Sequence, residues 1–203
     1  MTEYNGLFIG YVHGEMVHAK FMESVIREAN RTGAYVKGQE SEPHVDQARN
    51  NLVEIFLSTT CEWFLSVDTD IILPENVFGR LVARREQFIG ALIYINTKPP
   101  VPQVYQKIAD FSVKGVGTYM VDQDWTEGDL IKADATGAGC LLIHRQVFLD
   151  FMPIKPFRWF QHEVRGENLF GEDMVFCGRA KTAGYQLWID TSVKAGHIKP
   201  CVL

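Results

Sequence analysis

The sequence predicts an α/β fold: a mostly parallel central sheet with helices on both faces, followed by a smaller mixed part. Three observations predict it. Apolar runs of strand length alternate with helical periodicity through residues 1–96, the runs after residue 97 are shorter and less regular, and 46% hydrophobic content with 12% aromatics can fill the core of a 203-residue domain.

Leu7 to Val12 is an apolar run of strand length. Val17 to Asn30 follows with Val17, Phe21, Val25 and Ala29 on one helical face, Gly33 closes that helix, and Ala34 to Gly38 forms a second short strand. His44 to Thr59 is helical through Val45, Ala48, Leu52, Ile55 and Phe56, and it leads into a strand from Glu62 to Val67. Pro74 and Glu75 open a helix predicted over Pro74 to Arg85, before a strand from Phe88 to Ile95. Such strand–helix alternation implies parallel pairing, with ligands bound beyond the carboxyl ends of the strands. Farther on, Val101 to Gln106, Thr118 to Asp122, Leu130 to Asp134, Cys140 to His144 and Tyr185 to Ile189 read as strands. Gln146 to Phe151 and Met174 to Ala183 read as helices. No linker or repeat divides residues 1–203, so a single domain is expected.

A formal charge of -5 and a pI near 5.7, without a long Lys/Arg run, argue against bulk nucleic-acid binding. The N-terminal MTEYNGLFIGYVHG lacks the basic region of a signal peptide, and no stretch approaches the roughly 20 apolar residues of a membrane span. Cys61, Cys140, Cys177 and Cys201 lie far apart with no CxxC pair, which suggests neither a zinc site nor a disulfide framework. A soluble protein of the reducing cytoplasm is the expectation.

The chemistry concentrates in a few places. WFLSVDTDIILP sets Asp68 and Asp70 one residue apart within an apolar run, where an ionised group needs compensation. While a strand persists, residues i and i+2 share a face, so both carboxylates point to one place, where Mg or Mn bridging to a diphosphate would compensate them. The other reading is a helix-capping Asp70 with an exposed Asp68. Asp122-Gln123-Asp124, with no strand of length before it, reads as a solvated turn. Glu172 and Asp173 open a helix, where acidic residues suit the dipole and where a carboxylate facing a pocket can serve as general base. Arg49 falls on the apolar stripe of Val45, Leu52 and Phe56, so it points inward toward an anion, either in a site or in an internal ion pair such as one with Asp70. The loop glycines Gly137 and Gly139, with Ala138 between them, either let the backbone approach a ligand closely or serve only tight turns, and His197 is either a packed or surface residue or a metal ligand.

Taken together, VDTDIILP, ADATGAGCLLIHRQVF, FGEDMVFCGRAKTAGYQLW and the late GHI, in that order, resemble the GT-A glycosyltransferases, specifically the inverting family 2 type. Gly139, Leu142, Ile143, Arg145, Phe148, Glu172, Asp173, Arg179, Ala180, Gly184 and Tyr185 carry the closest likeness. The resemblance implies a nucleotide-sugar-binding half, 1–96, and an acceptor and catalytic half, 97–203. It implies a Mn or Mg ion at Asp68, Asp70 and His197, and a nucleoside-diphosphate sugar, UDP-sugar favoured, contacted by Val12, His13, Arg49, Asp68 and Asp70. Asp173 would be the base and Glu172 would orient acceptor or donor sugar, while the acceptor, of unspecified class, would meet Gly137, Ala138 and Trp159, the last in a lid spanning Phe157 to Glu163, where an aromatic could equally be core. The first loop, GYVHGEMVHAKF, departs from the usual polar pattern. Two rivals stand beside this reading: a sugar nucleotidyltransferase, although FIGYVHGEM lacks its glycine-rich basic loop, and a non-catalytic sugar-nucleotide-binding module.

Overall fold

The computed structural model describes residues 6–41, 44–95, 97–108, 118–122, 124–150, 158–165 and 167–199. The first half runs β1 (Leu7–His13), α1 (Ala19–Thr32), β2 (Tyr35–Glu40), α2 (Val45–Ser58), β3 (Trp63–Asp68), β4 (Ile71–Ile72), α3 (Val77–Val82), β5 (Phe88–Leu92) and β6 (Tyr94–Ile95). It continues with β7 (Val101–Pro102), β8 (Tyr105–Ile108), β9 (Thr118–Val121), β10 (Leu130–Ala133), β11 (Cys140–His144) and α4 (Arg145–Asp150). Last come β12 (Glu163–Arg165), β13 (Asn168–Phe170), α5 (Glu172–Thr182), β14 (Leu187–Lys194) and β15 (Gly196–His197). The expected places at Cys201, Gln123, Phe151 and Phe157 lie outside the described residues.

A seven-stranded sheet in the order β10-β14-β5-β11-β3-β1-β2 forms the centre. β1 pairs in parallel with β2 and β3, and β14 with β5, while β11 runs antiparallel between β3 and β5 and β10 runs antiparallel to β14. The sheet is therefore mostly parallel, as the alternation in the sequence requires, and its antiparallel members come from the less regular second half.

Both faces are covered, and the strands read as period-two alternations between two apolar layers. Phe8, Phe64, Phe88, Leu141 and Ile143 face α2, α4 and α5, where they meet Leu52, Phe56, Phe148 and Phe176. Their neighbours Leu7, Ile9, Leu65, Ile89 and Leu142 face α1 and α3, where they meet Phe21, Val25, Phe78 and Leu81. The first layer is aromatic, with Phe64 edge-on to Phe56 at 5.4 Å and to Phe148 at 5.6 Å between centroids. Gly10 lies within β1 because the Phe64 ring crosses it: a Cβ there would stand 2.8 Å from the ring.

Several boundaries differ from the sequence reading, among them the strand expected over Val101 to Gln106, which splits into β7 and β8. The helix expected from Pro74 starts at Val77, since β4 keeps the chain extended through Ile72 by pairing with β15 and Asn76 then turns with φ 54°. The strand expected over Phe88 to Ile95 breaks into β5 and β6, and between them the Ile93 carbonyl accepts from the Gln103 N–H. The last strand, expected over Tyr185 to Ile189, begins at Leu187 and runs on to Lys194 through Asp190, Thr191 and Ser192. Their polar atoms are satisfied from within. Asp190 accepts from Arg84 Nε at 2.7 Å and Nη2 at 3.1 Å and from the Ser192 hydroxyl at 2.6 Å, and the Thr191 hydroxyl donates to the Asp129 carbonyl at 2.8 Å.

Burial pushes the Asp190 carboxyl up, but the bonds from Arg84 and Ser192 more than offset it and hold the group below its ordinary value. A depressed carboxyl contributes stability above its unfolded pKa and loses it as pH falls through the folded value. Asp190→Asn is therefore expected to cost about 1.5–3 kcal/mol in urea unfolding at pH 7, the scale of charge-assisted hydrogen bonds. The variant and wild type should converge in strongly acidic solution; a gap that persists there would contradict the electrostatic origin.

Candidate active site

At the carboxyl ends of β1 and β3 the chain leaves a cavity of about 330 Å³ lined by Val12, His13, Gly14, Ser41, Val45, Arg49, Asp68, Thr69 and Asp70. This is where ligands of parallel sheets bind. The five residues assigned to the donor from the sequence, Val12, His13, Arg49, Asp68 and Asp70, all line this cavity. Ser41, just beyond β2, joins them and was missed.

The alternation of β3 builds the floor. Leu65 and Val67 go to the α1 and α3 side, so Phe64, Ser66 and Asp68 face α2. There Arg49, on the buried stripe of α2, is 7% exposed and donates three ways: Nη2 to Asp68 Oδ1 at 2.7 Å, Nη1 to the Ser66 hydroxyl at 3.1 Å, and Nε to Glu172 Oε1 at 3.0 Å. Burial disfavours the charged guanidinium, but Asp68 and Glu172 outweigh it and leave its pKa raised. The internal ion pair considered for Arg49 thus exists, with Asp68 and Glu172 in place of Asp70. Ser66 shares the parity of Asp68, and that was its signal in the sequence.

The two carboxylates of the Asp-x-Asp do not share a face. β3 ends at Asp68, a turn follows at Thr69 and Asp70, and the i, i+2 argument stops where the strand stops. Asp68 goes to Arg49, whereas Asp70 Oδ2 meets His197 Nε2 at 3.1 Å and Lys199 Nζ at 2.5 Å. Burial pushes the Asp70 carboxyl up, yet the hydrogen bond from Lys199 and the charges of His197 and Lys199 leave it below its ordinary value. Each acid has its own partner.

His197 is oriented from behind, its Nδ1 lying 2.7 Å from the Tyr94 carbonyl. A carbonyl only accepts, so Nδ1 donates and Nε2 is turned toward the Asp70 carboxylate, the arrangement of a histidine prepared to bind a cation. Asp70 and His197 therefore fit a divalent metal as a two-residue set. Among the described residues no group of three or more His, Cys, Asp or Glu converges as a metal site. The expected trio of Asp68, Asp70 and His197 is brought together as the pair Asp70 and His197, with Asp68 drawn toward Arg49.

Glu172 and Asp173 occupy the first turn of α5. Glu172 is 8% exposed and is held by Arg49 on one oxygen, with His162 Nε2 3.4 Å from the other. Asp173 accepts from the Met174 N–H at 2.7 Å. Burial pushes its carboxyl up, Glu172 repels it further, and Arg49 only partly opposes them, so it stays above the ordinary aspartate value. Tyr105, raised by burial and by the Asp173 charge, marks the neighbouring wall and was not expected.

The expected acceptor residues divide. At Gly137 a Cβ would lie 2.6 Å from Gln103 Oε1, the end of a flexible side chain that would have to swing aside, and Ala138 is 1% exposed. Trp159 sits in the core, the second of its two readings: it is 5% exposed, donates its indole N–H to the Phe148 carbonyl at 3.0 Å and packs edge-on to the Phe148 ring. The next residue is fastened as well. The Asn50 side chain donates to the Phe160 carbonyl at 2.7 Å and accepts from the Phe160 N–H at 3.1 Å, an anchor that the sequence did not signal.

Removing Arg49 would strip the buried Glu172 of its cation. Because Asp68 keeps partial exposure, Arg49→Met is expected to cost near the lower end of ~3–5 kcal/mol in denaturant unfolding, and Arg49→Lys less. A Met variant within about 1 kcal/mol of wild type would show that the three acceptors do not depend on the guanidinium.

Neither a protein-family model nor a curated protein matches the chain. Solved structures do. The viral protein A197 from STIV superimposes with a TM-score of 0.67 at 17% identity, over 96% of this chain and 86% of that one. GalNAc-T7, solved with UDP, GalNAc and Mn2+, gives 0.65 at 15% identity over 98% of this chain, which spans 45% of the GalNAc-T7 chain. No helix among the described residues is long and apolar enough to cross a membrane. At these identities the likeness is one of architecture, and the chain has a GT-A-like fold.

Proposed function

We propose that the chain is a metal-dependent glycosyltransferase, moving a sugar from a nucleoside-diphosphate sugar to an acceptor hydroxyl with inversion. One observation carries the reading: the cavity beyond β1 and β3 is lined by Val12, His13, Arg49, Asp68 and Asp70, and the buried Arg49 ties it to the acidic start of α5. A UDP-sugar is the favoured donor, in keeping with the UDP and Mn2+ of GalNAc-T7.

Val12, His13 and Ser41 would flank the nucleotide. Asp70 and His197 would hold Mn or Mg, which when bound would offset the charge developing on the departing diphosphate. Asp173 would accept the acceptor's proton as its oxygen bonds to the anomeric carbon, while that carbon's bond to the diphosphate oxygen breaks and leaves its electron pair there. The burial and repulsion that raise the Asp173 pKa make it a stronger base than an exposed aspartate. Glu172, fixed by Arg49 with His162 beside it, would orient a sugar hydroxyl.

Thermal-shift titration of nucleoside diphosphates with and without Mn is the first test, since a ligand of the folded state raises its apparent stability. The wild type should shift with one nucleotide class when metal is present, and Asp70→Ala should lose the metal-dependent part. Asp173→Asn should keep the shift and lower sugar-nucleotide turnover by about 10²- to 10⁴-fold. If a broad panel gives binding without turnover, the chain is a binding module.

The pH profile supplies a second test. The base works deprotonated, so kcat/KM should fall as pH drops through the Asp173 pKa, with the acid limb above the ordinary aspartate range. Arg49 lowers that pKa, so a folded Arg49→Lys variant with weakened contact should move the limb higher still. A limb at the ordinary aspartate value would remove Asp173 from the role.

A further inference from the structure

Lys199 has no part in the reading above, yet its ammonium occupies the most consequential oxygen of the site. The placement follows from the backbone. β15 pairs with β4, His197 standing opposite Ile71, and the Ile198 N–H donates to the Asp70 carbonyl at 2.7 Å. This short ladder sets the side chains of His197 and Lys199 against the same acceptor, Asp70 Oδ2, at 3.1 and 2.5 Å. His197 Nδ1 donates to the Tyr94 carbonyl, which turns Nε2 toward the oxygen that the Lys199 ammonium also reaches.

We propose that Lys199 is a tethered counter-cation for Asp70 that competes with the divalent metal, so that the metal enters by exchange with the ammonium. This rests on the reading of Asp70 and His197 as metal-holding residues. A divalent cation and an ammonium brought to the same carboxylate oxygen repel each other and draw on one negative charge, so the binding of either weakens the other. The means of exchange is present: the Lys199 side chain is 36% exposed on a flexible four-carbon stem, while the backbone beside it stays pinned through Ile198. With the ammonium in place Asp70 is neutralised without metal, so the empty site is not a concentration of bare acid.

The test measures metal affinity without turnover. Mn is titrated into the full chain, without nucleotide, and free Mn is read from its electron paramagnetic resonance signal. Lys199→Ala is expected to bind Mn about two- to fivefold more tightly than wild type, the scale of a half-exposed ion pair, and Lys199→Arg to stay near wild type. Lys20→Ala, which makes the same charge change at an exposed position on α1, should leave the affinity unchanged. Equal or weaker Mn binding by Lys199→Ala would overturn the proposal, as would equal tightening by Lys20→Ala, which would mark a general charge effect. Asp70→Asn separates the two ideas. If it abolishes Mn binding while Lys199→Ala changes nothing, only the competition falls; if wild type, Lys199→Ala and Asp70→Asn all fail to bind Mn, the metal reading falls with it.

Discussion

The site depends on a single buried guanidinium. Arg49 keeps its charge at 7% exposure, and the cost of burying it is offset because Asp68, Ser66 and Glu172 meet it, acceptors that come from the end of β3 and the start of α5. The requirement constrains three segments at once: α2 must present its stripe to the sheet, β3 must keep its parity to the last residue, and α5 must begin where it does. It also sets the charge balance. One cation faces Asp68 and Glu172, so Asp173 beside them meets net negative charge as well as desolvation, and its raised proton affinity follows from an arrangement centred on another residue.

The Asp-x-Asp is accordingly two half-sites. Asp68 belongs to the α2 layer and Asp70 to the small ladder formed by β4 and β15, each neutralised by a separate cation. Repulsion between like charges, which a shared face would have imposed, is relieved by the turn at Thr69. A cavity wall with carboxylates reached from two directions remains open to a ligand between them.

Much of this was legible in the sequence where local periodicity decides. The alternation of strands with helices through residues 1–96 predicted a sheet covered on both faces, and the inward stripe of α2 predicted that Arg49 would seek an anion. Identifying that anion required knowing that β11 inserts between β3 and β5 and carries the second half of the chain to the far side, which no local pattern encodes. Trp159 shows the limit from the other direction: an aromatic in an irregular stretch fits a pocket or a core equally well, and only the Phe148 carbonyl, already waiting for its indole N–H, decides between them. Asp190 to Ser192 hid a strand because their partners, Arg84 and Asp129, lie far away in the chain.

Asn50 follows Arg49 directly and uses a different grammar. Its amide offers Phe160 the same donor and acceptor that a neighbouring strand would offer, so the chain at Phe160 is stitched to a helix as though it lay in a ladder. Consecutive residues of α2 thereby secure the charged floor of the cavity and the beginning of the segment that leads through β12 and β13 to Glu172. The segment is therefore moored at both ends to one helical turn, at Phe160 by an amide and at Glu172 by a guanidinium, so α2 sets the span between its two ends whatever path the residues between them take.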